Sequence, residues 1–413
     1  MSGLRVGIDA RLRSGFSGGV EQVVIGLASA LAKLEDGNEE YLFVVHPDQE
    51  EWLRPHLRGP CRPLHSRMEY PGQPGLLREL RRGLRRRAPF LDSNRGAVLS
   101  SNGTIERAGV DLIHFPMQEA FLTDVPSIYQ PHDLQHLHLP ELVGAAERER
   151  RELVYRTHCR RAALVVAMTS WGKRDLIDLY GLPPERVEVV PGGSVLDEFR
   201  APSATELEQL RRRLSLPEAF LLYPAQTWAH KNHTGLLEAL AVIKEHEGID
   251  VPLVCPGRQT DFFPRIRERV RELRVEDTTW FPGFVQPLEL RGLYALARAL
   301  VFPSKFEGWG LPVCEAFASC LPVASSSATG LADVVGDAGL LFDPEDPAEI
   351  ADCILRLWRD SDLRRQLAER GHRRVQEFSF DRAAKLFRAH YRRLANRPLA
   401  AEDRILLATP PPA

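Results

Sequence analysis

Two patterns alternate along the chain: a short apolar run, then a longer amphipathic stretch with helical period. The apolar runs carry few charges and most end at Gly, Pro, Asp or Ser, as do strands buried on both faces of a parallel sheet. They cover residues 4–8, 41–45, 111–115, 126–129, 162–168 and 187–190 in the first half, and 220–223, 251–255, 279–281, 299–302, 321–324 and 339–342 in the second. The alternation predicts two open α/β sheets with parallel strands.

The stretches between the runs place apolar residues on one helical face. The clearest helices are predicted over residues 21–34, through Val23, Val24, Leu27, Leu31 and Leu34, and over residues 233–243, through Leu236, Leu237, Leu240 and Ile243. A polar, charge-dense segment over 194–217 separates the halves, and a last long helix is expected at about 381–394. The tail from Arg397 onward ends in Thr-Pro-Pro-Pro-Ala and is predicted to be loose. Two doubly wound domains are therefore expected, with a ligand at the carboxyl ends of their strands.

Composition narrows the class of protein. The 413 residues are 44% apolar and 27% charged, which suits large globular cores. Lys and Arg total 54 against 56 Asp and Glu, so a basic surface over the whole protein, as for nucleic acid, is excluded. Six cysteines without a C-x-x-C pair argue against a zinc knuckle and a disulfide scaffold. With no signal-peptide core at the start and no apolar run of about 18 residues, a cytoplasmic protein is expected.

The segment after the apolar run at 299–302 carries the most informative chemistry. A Gly-containing loop follows that run, and Pro312 stands where the first residue of a helix is expected. Glu307 then belongs to the loop and Glu315 to the first helical turn. Loop amides and the positive helix end can hold phosphate oxygens, while Glu307 accepts from sugar hydroxyls and Glu315 from a ribose. An ordinary strand–turn–helix, with a glutamate favoured by the helix dipole, explains the same residues equally well.

A resemblance to a known family bears on that choice. Residues 307–323, EGWGLPVCEAFASCLPV, are similar to the Glu-x7-Glu signature of the retaining glycosyltransferases of the GT-B fold, family four, which typically contains EGFGLPxxEA. The resemblance continues through VVGDAGLLFDPEDP at 334–347 and FPGFV at 281–285, and covers most of the second half. Residues 14–21, SGFSGGVE, resemble the glycine loop near the start of the same family.

The resemblance implies a GT-B fold, an α/β architecture of two Rossmann-like doubly wound domains facing across a cleft. It implies an acceptor-side domain over 1–195, a nucleotide-sugar donor domain over 196–378, and a helix over 379–397 that crosses back to pack on the first domain. Residues 398–413 would form a flexible tail. No cofactor is expected besides the nucleotide sugar, which is a co-substrate.

The family also implies roles for residues that match its motifs. Lys231 would neutralise the donor diphosphate, Glu307 would orient the sugar ring, and His132 would contact that ring from the first domain. The donor-binding set would comprise Gly18, Gly19, Gln226, Gly308, Trp309, Gly310, Leu311 and Glu315, with Asp133 and Arg258 as further candidates.

The sequence departs from the family pattern at three places near the expected donor site. Gln226 stands where members usually have an arginine, which removes one positive charge from the diphosphate site. Cys320 replaces a common glycine, and TGLAD at 329–333 replaces the frequent Leu-Pro-Glu. These departures weaken any transfer of sugar specificity from the family.

Metal and membrane binding were considered as alternatives. His132, His136 and His138 with Asp133 invite a metal site, but their spacing matches no standard zinc signature. The Asp360-Ser-Asp triplet predicts a helix cap, not the metal-binding motif of the other large glycosyltransferase class. The basic run from Arg78 to Arg87 could lie against anionic lipid as a helix, or be a solvated loop.

Taken together, the resemblance implies a metal-independent, retaining transfer of a hexose, such as mannose, from a nucleotide-diphosphate sugar to an acceptor hydroxyl. The acceptor would be a carbohydrate or lipid-linked molecule of glycan, polysaccharide or glycolipid biosynthesis, and no nucleic acid is expected as a partner. A nucleotide-sugar epimerase of similar fold and a carbohydrate-binding homologue without activity remain as alternatives. An epimerase would convert the donor without any acceptor.

Overall fold

A computed structural model describes residues 3–12, 19–68, 98–193 and 202–411. The chain divides into two compact units. The first contains the described residues of Met1–Met168, Lys173–Gly193 and Phe380–Pro411, and the second those of Thr169–Gly172 and Ser194–Ser379. The basic run from Arg78 to Arg87 and Gly18 of the glycine loop lie outside the described residues.

The first unit is built on a parallel sheet of seven strands. Its strands are β1 (Leu4–Asp9), β2 (Glu39–Val45), β3 (Cys61–His65), β4 (Leu112–Phe115), β5 (Ser127–Tyr129), β6 (Leu164–Ala167) and β7 (Val187–Val189). Their order in the sheet is β3-β2-β1-β4-β5-β6-β7. Central strands such as LIHF at 112–115 and LVVA at 164–167 are buried throughout, as a sheet covered on both faces requires.

The second unit holds a parallel sheet of six strands. These are β8 (Leu221–Leu222), β9 (Leu253–Pro256), β10 (Thr279–Gly283), β11 (Ala299–Phe302), β12 (Val323–Ser326) and β13 (Leu340–Phe342), in the order β10-β9-β8-β11-β12-β13. Each of the twelve apolar runs predicted from the sequence overlaps one of the thirteen strands in the described part of the chain.

The additional strand, β3, lies at the edge of the first sheet and escaped the sequence analysis. Its sequence CRPLH alternates one buried cysteine with exposed Arg62 and Pro63. Proline has no backbone N–H to donate to a neighbouring strand, so within sheets it occurs mainly on edge strands. The strand pairs with β2 alone, in parallel register, and so lacks the continuous apolar run that reveals a central strand.

Helices connect the strands. They are α1 (Gly19–Leu31), α2 (Thr104–Arg107), α3 (Gln135–His138), α4 (Ala145–Arg161), α5 (Ser170–Tyr180), α6 (Ala204–Arg213), α7 (His233–Glu247), α8 (Phe263–Glu272), α9 (Pro287–Leu296), α10 (Leu311–Ala318), α11 (Gly330–Val335), α12 (Pro347–Arg359), α13 (Ser361–Val375), α14 (Phe380–Leu394) and α15 (Ala401–Ala408). In α7, the four apolar residues predicted to share a face are all buried. None of these helices combines the length and apolar character needed to cross a bilayer.

The described part of the polar segment over 194–217, from residue 202 onward, contains a helix. Helix α6 forms within it because Ser203 caps its start, with the Ser203 hydroxyl accepting from the Glu206 amide and the Glu206 carboxylate accepting from the Ser203 amide. Leu210 of this helix is buried in the second unit. The predicted cap at Asp360 is confirmed, because its Oδ1 accepts from the amides of Asp362 and Leu363 at 2.9 Å.

Helix α14 follows the second unit in sequence but belongs to the first. Its Phe380 packs on α1 so tightly that a Cβ on Gly26 would lie 2.2 Å from the ring. Arg392 pairs with Glu39 of β2 at 2.7 Å, and the Tyr391 hydroxyl lies 2.8 Å from His114 Nδ1. The predicted return of the last long helix to the first domain is therefore confirmed, together with the two doubly wound sheets.

The expected loose tail is replaced over residues 401–408 by helix α15. Asp403 is buried, accepts a 2.8 Å hydrogen bond from the Ala400 amide and pairs with Arg392 at 2.8 Å. Lys385 of α14 also pairs with Glu402 at 2.7 Å. Contacts with the preceding helix thus order a segment whose composition alone, with its terminal prolines, predicted a coil.

Candidate active site

The loops that carry the predicted donor residues meet at one edge of the second sheet. Strands β8, β11 and β12 are neighbours and run parallel, so the segments that follow them emerge together. Those segments contain Gln226 and Lys231 after β8, Glu307 to Gly310 after β11, and Thr329 after β12. The carboxyl edge of a parallel sheet is the usual position of a ligand in this architecture.

Lys231 and Glu307 form an ion pair at this edge. The Lys231 ammonium bonds Oε1 of Glu307, and the two side chains are only 19% and 14% exposed. Lys231 ends a single 3-10 turn, Ala229–Lys231, and its carbonyl accepts from the Tyr223 hydroxyl. The structure thus brings together two residues that lie far apart in the sequence and were both predicted to belong to the site.

Asn232 fixes the direction in which the chain leaves Lys231. It adopts a left-handed conformation with φ of 56°, which asparagine tolerates better than most residues. Its Oδ1 accepts from the Gly235 amide at the start of α7, and its Nδ2 donates to the Pro344 carbonyl at 2.7 Å. The lysine is therefore held between a turn and a capped helix.

Thr329 holds the backbone of Glu307 from the next strand. The Glu307 amide donates to Thr329 Oγ1 at 3.0 Å, and that hydroxyl donates to the Glu307 carbonyl at 2.9 Å. Thr329 has φ of 56° and ψ of −135°, a conformation that is strained for a β-branched residue. The sequence analysis noted this position only as a departure from the family, and so missed its part in the site.

Two glycines, Gly310 and Gly330, allow the two loops to lie close. A Cβ on Gly330 would be 2.7 Å from the Gly308 carbonyl oxygen, and Gly310 has φ of 98° at the start of α10. Within the described residues, the backbone amides of Gly308, Trp309, Gly310 and Leu311 donate no hydrogen bond to another protein group. These N–H groups are available to anionic oxygens beside the positive end of α10.

The exact start of α10 corrects one expectation. The helix begins at Leu311, so Pro312 is its second residue and Glu315 its fifth, one position beyond the first turn. The left-handed Gly310 caps the helix and lets Leu311 take a helical conformation before the proline. Glu315 is half-buried, and its Oε2 lies 2.6 Å from the hydroxyl of Tyr294 on α9.

The side chain of Trp309 points away from the loop amides and into the core of the second unit. It is 6% exposed and packs edge-on against Phe378, with ring centroids 4.9 Å apart. Its contribution to a donor site is therefore limited to its backbone, while its ring anchors the loop.

Gln226 and Arg258, by contrast, are exposed. Gln226 Oε1 accepts from the indole of Trp228 at 3.1 Å, which leaves the amide group of the glutamine as a donor. The Arg258 carbonyl accepts from Thr227, and a Cβ on the adjacent Gly257 would lie 2.0 Å from the Ala225 carbonyl oxygen. This close approach joins the loops after β8 and β9.

Burial keeps the histidines beside Lys231 neutral. Desolvation, assisted by the Lys231 charge, lowers the pKa of His230 to about 4, and the same causes lower the pKa of His233 to about 3. At neutral pH these imidazoles add no positive charge, so the ammonium of Lys231 supplies the cation that faces Glu307.

In the first unit, His132 follows the carboxyl end of β5 and has φ of 68°. Its Nε2 donates to the Pro116 carbonyl at 2.9 Å, and burial lowers its pKa, so the ring is neutral. Asp133 Oδ1 accepts from the Gln135 amide at 3.0 Å. Gly19, the described member of the glycine pair, begins α1.

The neighbouring histidines have separate partners. His136 is buried and lies 3.2 Å from Glu152, and His138 lies 2.7 Å from Asp175. Within the ranges that the structure describes, no three His, Cys, Asp or Glu side chains are grouped so as to hold a metal ion. The arrangement gives the metal alternative for this segment no support.

Comparisons with known proteins identify the family of the chain. The family described as glycosyl transferases group 1 matches residues 208–374, and glycosyltransferase family 4 matches residues 17–198. The chain is 30% identical to O-antigen chain mannosyltransferase B of Escherichia coli over 223 residues, which are 53% of this chain and 58% of that protein. The chain spans less than two thirds of the length of this relative and of two D-inositol 3-phosphate glycosyltransferases that it also matches.

Other relatives match over nearly the whole chain. A D-inositol 3-phosphate glycosyltransferase of Pseudarthrobacter chlorophenolicus is 28% identical over 406 residues, with 93% of this chain and 92% of that protein covered. The crystal structure of Anabaena Alr3699/HepE in complex with UDP and glucose superposes with a TM-score of 0.68 at 20% identity, covering 94% and 99% of the two chains. Since the two family matches together span both units and the fold agrees, this chain belongs to the group 1, family 4 glycosyltransferases of the GT-B fold.

Proposed function

We propose that this protein transfers a hexose from a nucleoside diphosphate sugar to an acceptor hydroxyl, with retention at the anomeric carbon and without a metal ion. The observation that carries the proposal is the Lys231–Glu307 pair beside the unused amides of Gly308 to Leu311. The relatives named as a mannosyltransferase and an inositol phosphate glycosyltransferase support a sugar donor. The HepE structure, which holds UDP and glucose, supports a nucleoside diphosphate as its carrier.

Lys231 would act on the leaving group. Breaking the anomeric C–O bond places extra negative charge on the diphosphate and positive charge on the sugar. A cation and oriented amides stabilise the departing diphosphate most strongly in a site that excludes water. Lys231 with the amides of Gly308, Gly310 and Leu311 would supply that stabilisation, with Gln226 donating a neutral hydrogen bond in place of a second cation.

The carboxylates would position the donor. Glu307 would accept hydrogen bonds from the sugar hydroxyls and Glu315 from the ribose, while His132 would contact the sugar as a neutral imidazole. The acceptor would attack on the face from which the diphosphate leaves, and the departing phosphate oxygen would take the acceptor proton. A carbohydrate or lipid-linked glycan is the acceptor class that we propose, in cytoplasmic polysaccharide or glycolipid synthesis.

Donor identification is the first test. We would measure thermal unfolding of the protein with GDP-mannose, UDP-glucose and dTDP-glucose, since a ligand at about 100 times its dissociation constant stabilises the folded state by roughly 2.7 kcal/mol. The preferred donor would then be incubated with and without sugar acceptors, in the presence of EDTA. Release of nucleoside diphosphate that depends on the acceptor, and an unchanged anomeric configuration by NMR, are expected.

Two results would contradict the proposal. Conversion of the donor to another nucleotide sugar without any acceptor would indicate an epimerase. Inverted products, or activity abolished by EDTA and restored by a divalent ion, would contradict retention or metal independence respectively.

A further inference from the structure

Tyr294 makes a contact that the family signature does not include. It lies on α9, is 1% exposed, and its hydroxyl oxygen is 2.6 Å from Glu315 Oε2 and 3.2 Å from the Pro312 carbonyl oxygen. Helix α9 thus supports α10 at the residue that would hold the ribose.

The direction of this hydrogen bond is fixed. Burial raises the pKa of Tyr294 well above its ordinary value, and the negative charge of Glu315 raises it further. The phenol therefore stays protonated and donates, while the carboxylate accepts. A buried hydroxyl that donates to a carboxylate is among the stronger hydrogen bonds in proteins because one partner is charged.

This bond restricts the orientation of Glu315. A free glutamate side chain samples several rotamers, whereas the phenol holds Oε2 at one point. A carboxylate has about four lone-pair sites on its two oxygens, and the Tyr294 hydroxyl uses one of those on Glu315. Holding an acceptor in place before the ligand arrives lowers the entropy lost on binding.

We infer that Tyr294 is a positioning residue that orients Glu315 and thereby sets the preference of this protein for ribose over deoxyribose in its nucleotide. The inference rests on the proposed function, in which Glu315 accepts from the ribose. Tyr294 itself touches no substrate; it acts through the carboxylate.

Tyr294→Phe tests the inference because it retains the ring and removes only the hydroxyl. We would measure, by calorimetry, the dissociation constants of UDP and GDP and of their 2′-deoxy and 3′-deoxy analogues, and analyse whichever base binds the wild type. A hydrogen bond to a charged group corresponds to about tenfold or more in affinity, so the wild type should prefer the ribonucleotide by about that factor. In Tyr294→Phe the ribonucleotide should bind about fivefold more weakly, whereas the affinity for the deoxy analogues should hardly change. The ratio of the dissociation constants of the deoxynucleotide and the ribonucleotide should therefore fall close to one.

Tyr180→Phe is the matched control. Tyr180 is also a buried tyrosine whose hydroxyl donates to a glutamate, Glu152 at 3.1 Å, but it lies in the first unit among residues with no role in the donor site. This variant loses the same type of bond, and its ribose preference should equal that of the wild type.

Glu315→Asp provides a second route if Tyr294→Phe does not fold. The side chain keeps its charge but is one C–C bond, about 1.5 Å, shorter, so the carboxylate no longer reaches the phenol. Loss of the ribose preference in this variant is expected, and full retention would contradict the inference.

The outcomes separate the inference from the function on which it rests. If the wild type binds no nucleoside diphosphate, the proposed function fails. If the wild type prefers ribose and Tyr294→Phe keeps that preference, or weakens ribo- and deoxynucleotides equally, Tyr294 has only a structural role and the inference is overturned while the proposed function stands.

Discussion

Glu307 and Glu315 lie eight residues apart on one loop and helix, yet their surroundings differ in kind. Glu307 is paired with the ammonium of Lys231, and its backbone is held by Thr329. Glu315 is held by the neutral phenol of Tyr294. The charge of the first carboxylate is thus balanced by a cation that an incoming diphosphate would also attract, whereas the second accepts a hydrogen bond from an uncharged hydroxyl.

Because their partners differ, Glu307 and Glu315 should respond to different substitutions and to salt in different degrees. An ion pair responds to charge substitutions and to salt, and removal of one partner leaves the other buried without compensation. The Tyr294–Glu315 hydrogen bond, whose donor is neutral, responds to the loss of a single hydroxyl and less to salt than an ion pair does. The Glu307 side should therefore control the leaving group, and the Glu315 side the recognition of the nucleotide.

Lys231→Ala should have the largest effect. Removing a group that stabilises developing charge costs about 10²–10³-fold in rate, so kcat/KM for the preferred donor should fall by that factor, and Lys231→Arg should fall less. The measurement is steady-state release of nucleoside diphosphate with acceptor present. Lys244→Ala, which breaks the exposed Lys244–Asp250 pair of the same unit, is the control and should remain near wild-type activity. Activity of Lys231→Ala within threefold of wild type would remove the lysine from the mechanism.

Thr329→Val should come next. Valine keeps the shape of threonine but lacks the hydroxyl that forms hydrogen bonds with both the amide and the carbonyl of Glu307. Without these two hydrogen bonds, the backbone of Glu307 is no longer fixed to the segment after β12. We expect kcat/KM to fall about tenfold, equivalent to roughly 1.4 kcal/mol, with ribose preference intact because the Glu315 side is untouched. Thr329→Ser, which retains the hydroxyl, should be close to wild type. Equal activity of the Val and Ser variants would show that the hydroxyl is not needed.

The pH dependence of the free energy of unfolding should show that His230, beside the Lys231–Glu307 pair, is neutral in the folded protein. The pKa of His230 is about 4 in the folded protein against 6.5 when unfolded, so the unfolded state binds more protons between these values. Stability should therefore be lost as pH falls from about 6.5 towards 4. In chemical unfolding at pH 7 and pH 5, His230→Gln should reduce that loss by about 2 kcal/mol. An unchanged difference between the two pH values would show that His230 is already charged or equally solvated in both states.

Gln226→Arg should produce the smallest change, and in the opposite direction. It restores the charge that the family usually places beside the diphosphate, so the dissociation constant of the nucleoside diphosphate should fall about threefold at low salt. That gain should shrink at 0.5 M NaCl because salt screens exposed charges. Gln226→Lys should behave similarly, whereas a gain that persists at high salt would indicate a contact other than charge.

Much of the fold could be predicted because buried parallel strands leave a direct signal. Continuous apolar runs such as ALVF at 299–302 are strands in the structure with the same bounds. The edge strand β3 and helix α15 were missed because their stability comes from partners elsewhere, β2 for the strand and Arg392 for the helix.

In the candidate site, too, residues within a local motif were predicted and residues that act through distant contacts were missed. Lys231, Glu307 and Glu315 were identified because the short segments that contain them, after β8 and after β11, resemble motifs of the family. Thr329 and Tyr294 were not, since they lie 22 and 21 residues from the glutamates that they contact and no local pattern connects them. The sequence also did not show that the Trp309 side chain is buried against Phe378, where it anchors the loop in the core of the second unit.

Cys320 offers a practical opportunity. It is exposed just after the end of α10 with φ of 53°, a backbone conformation that favours glycine, whereas the other five cysteines are buried. Burial raises the pKa of all five buried thiols, and thiolate is the reactive form. A maleimide dye should therefore attach at Cys320 in the unmodified protein. Placed at one end of the helix that carries Glu315, such a dye could report nucleotide arrival by fluorescence without any engineered labelling position.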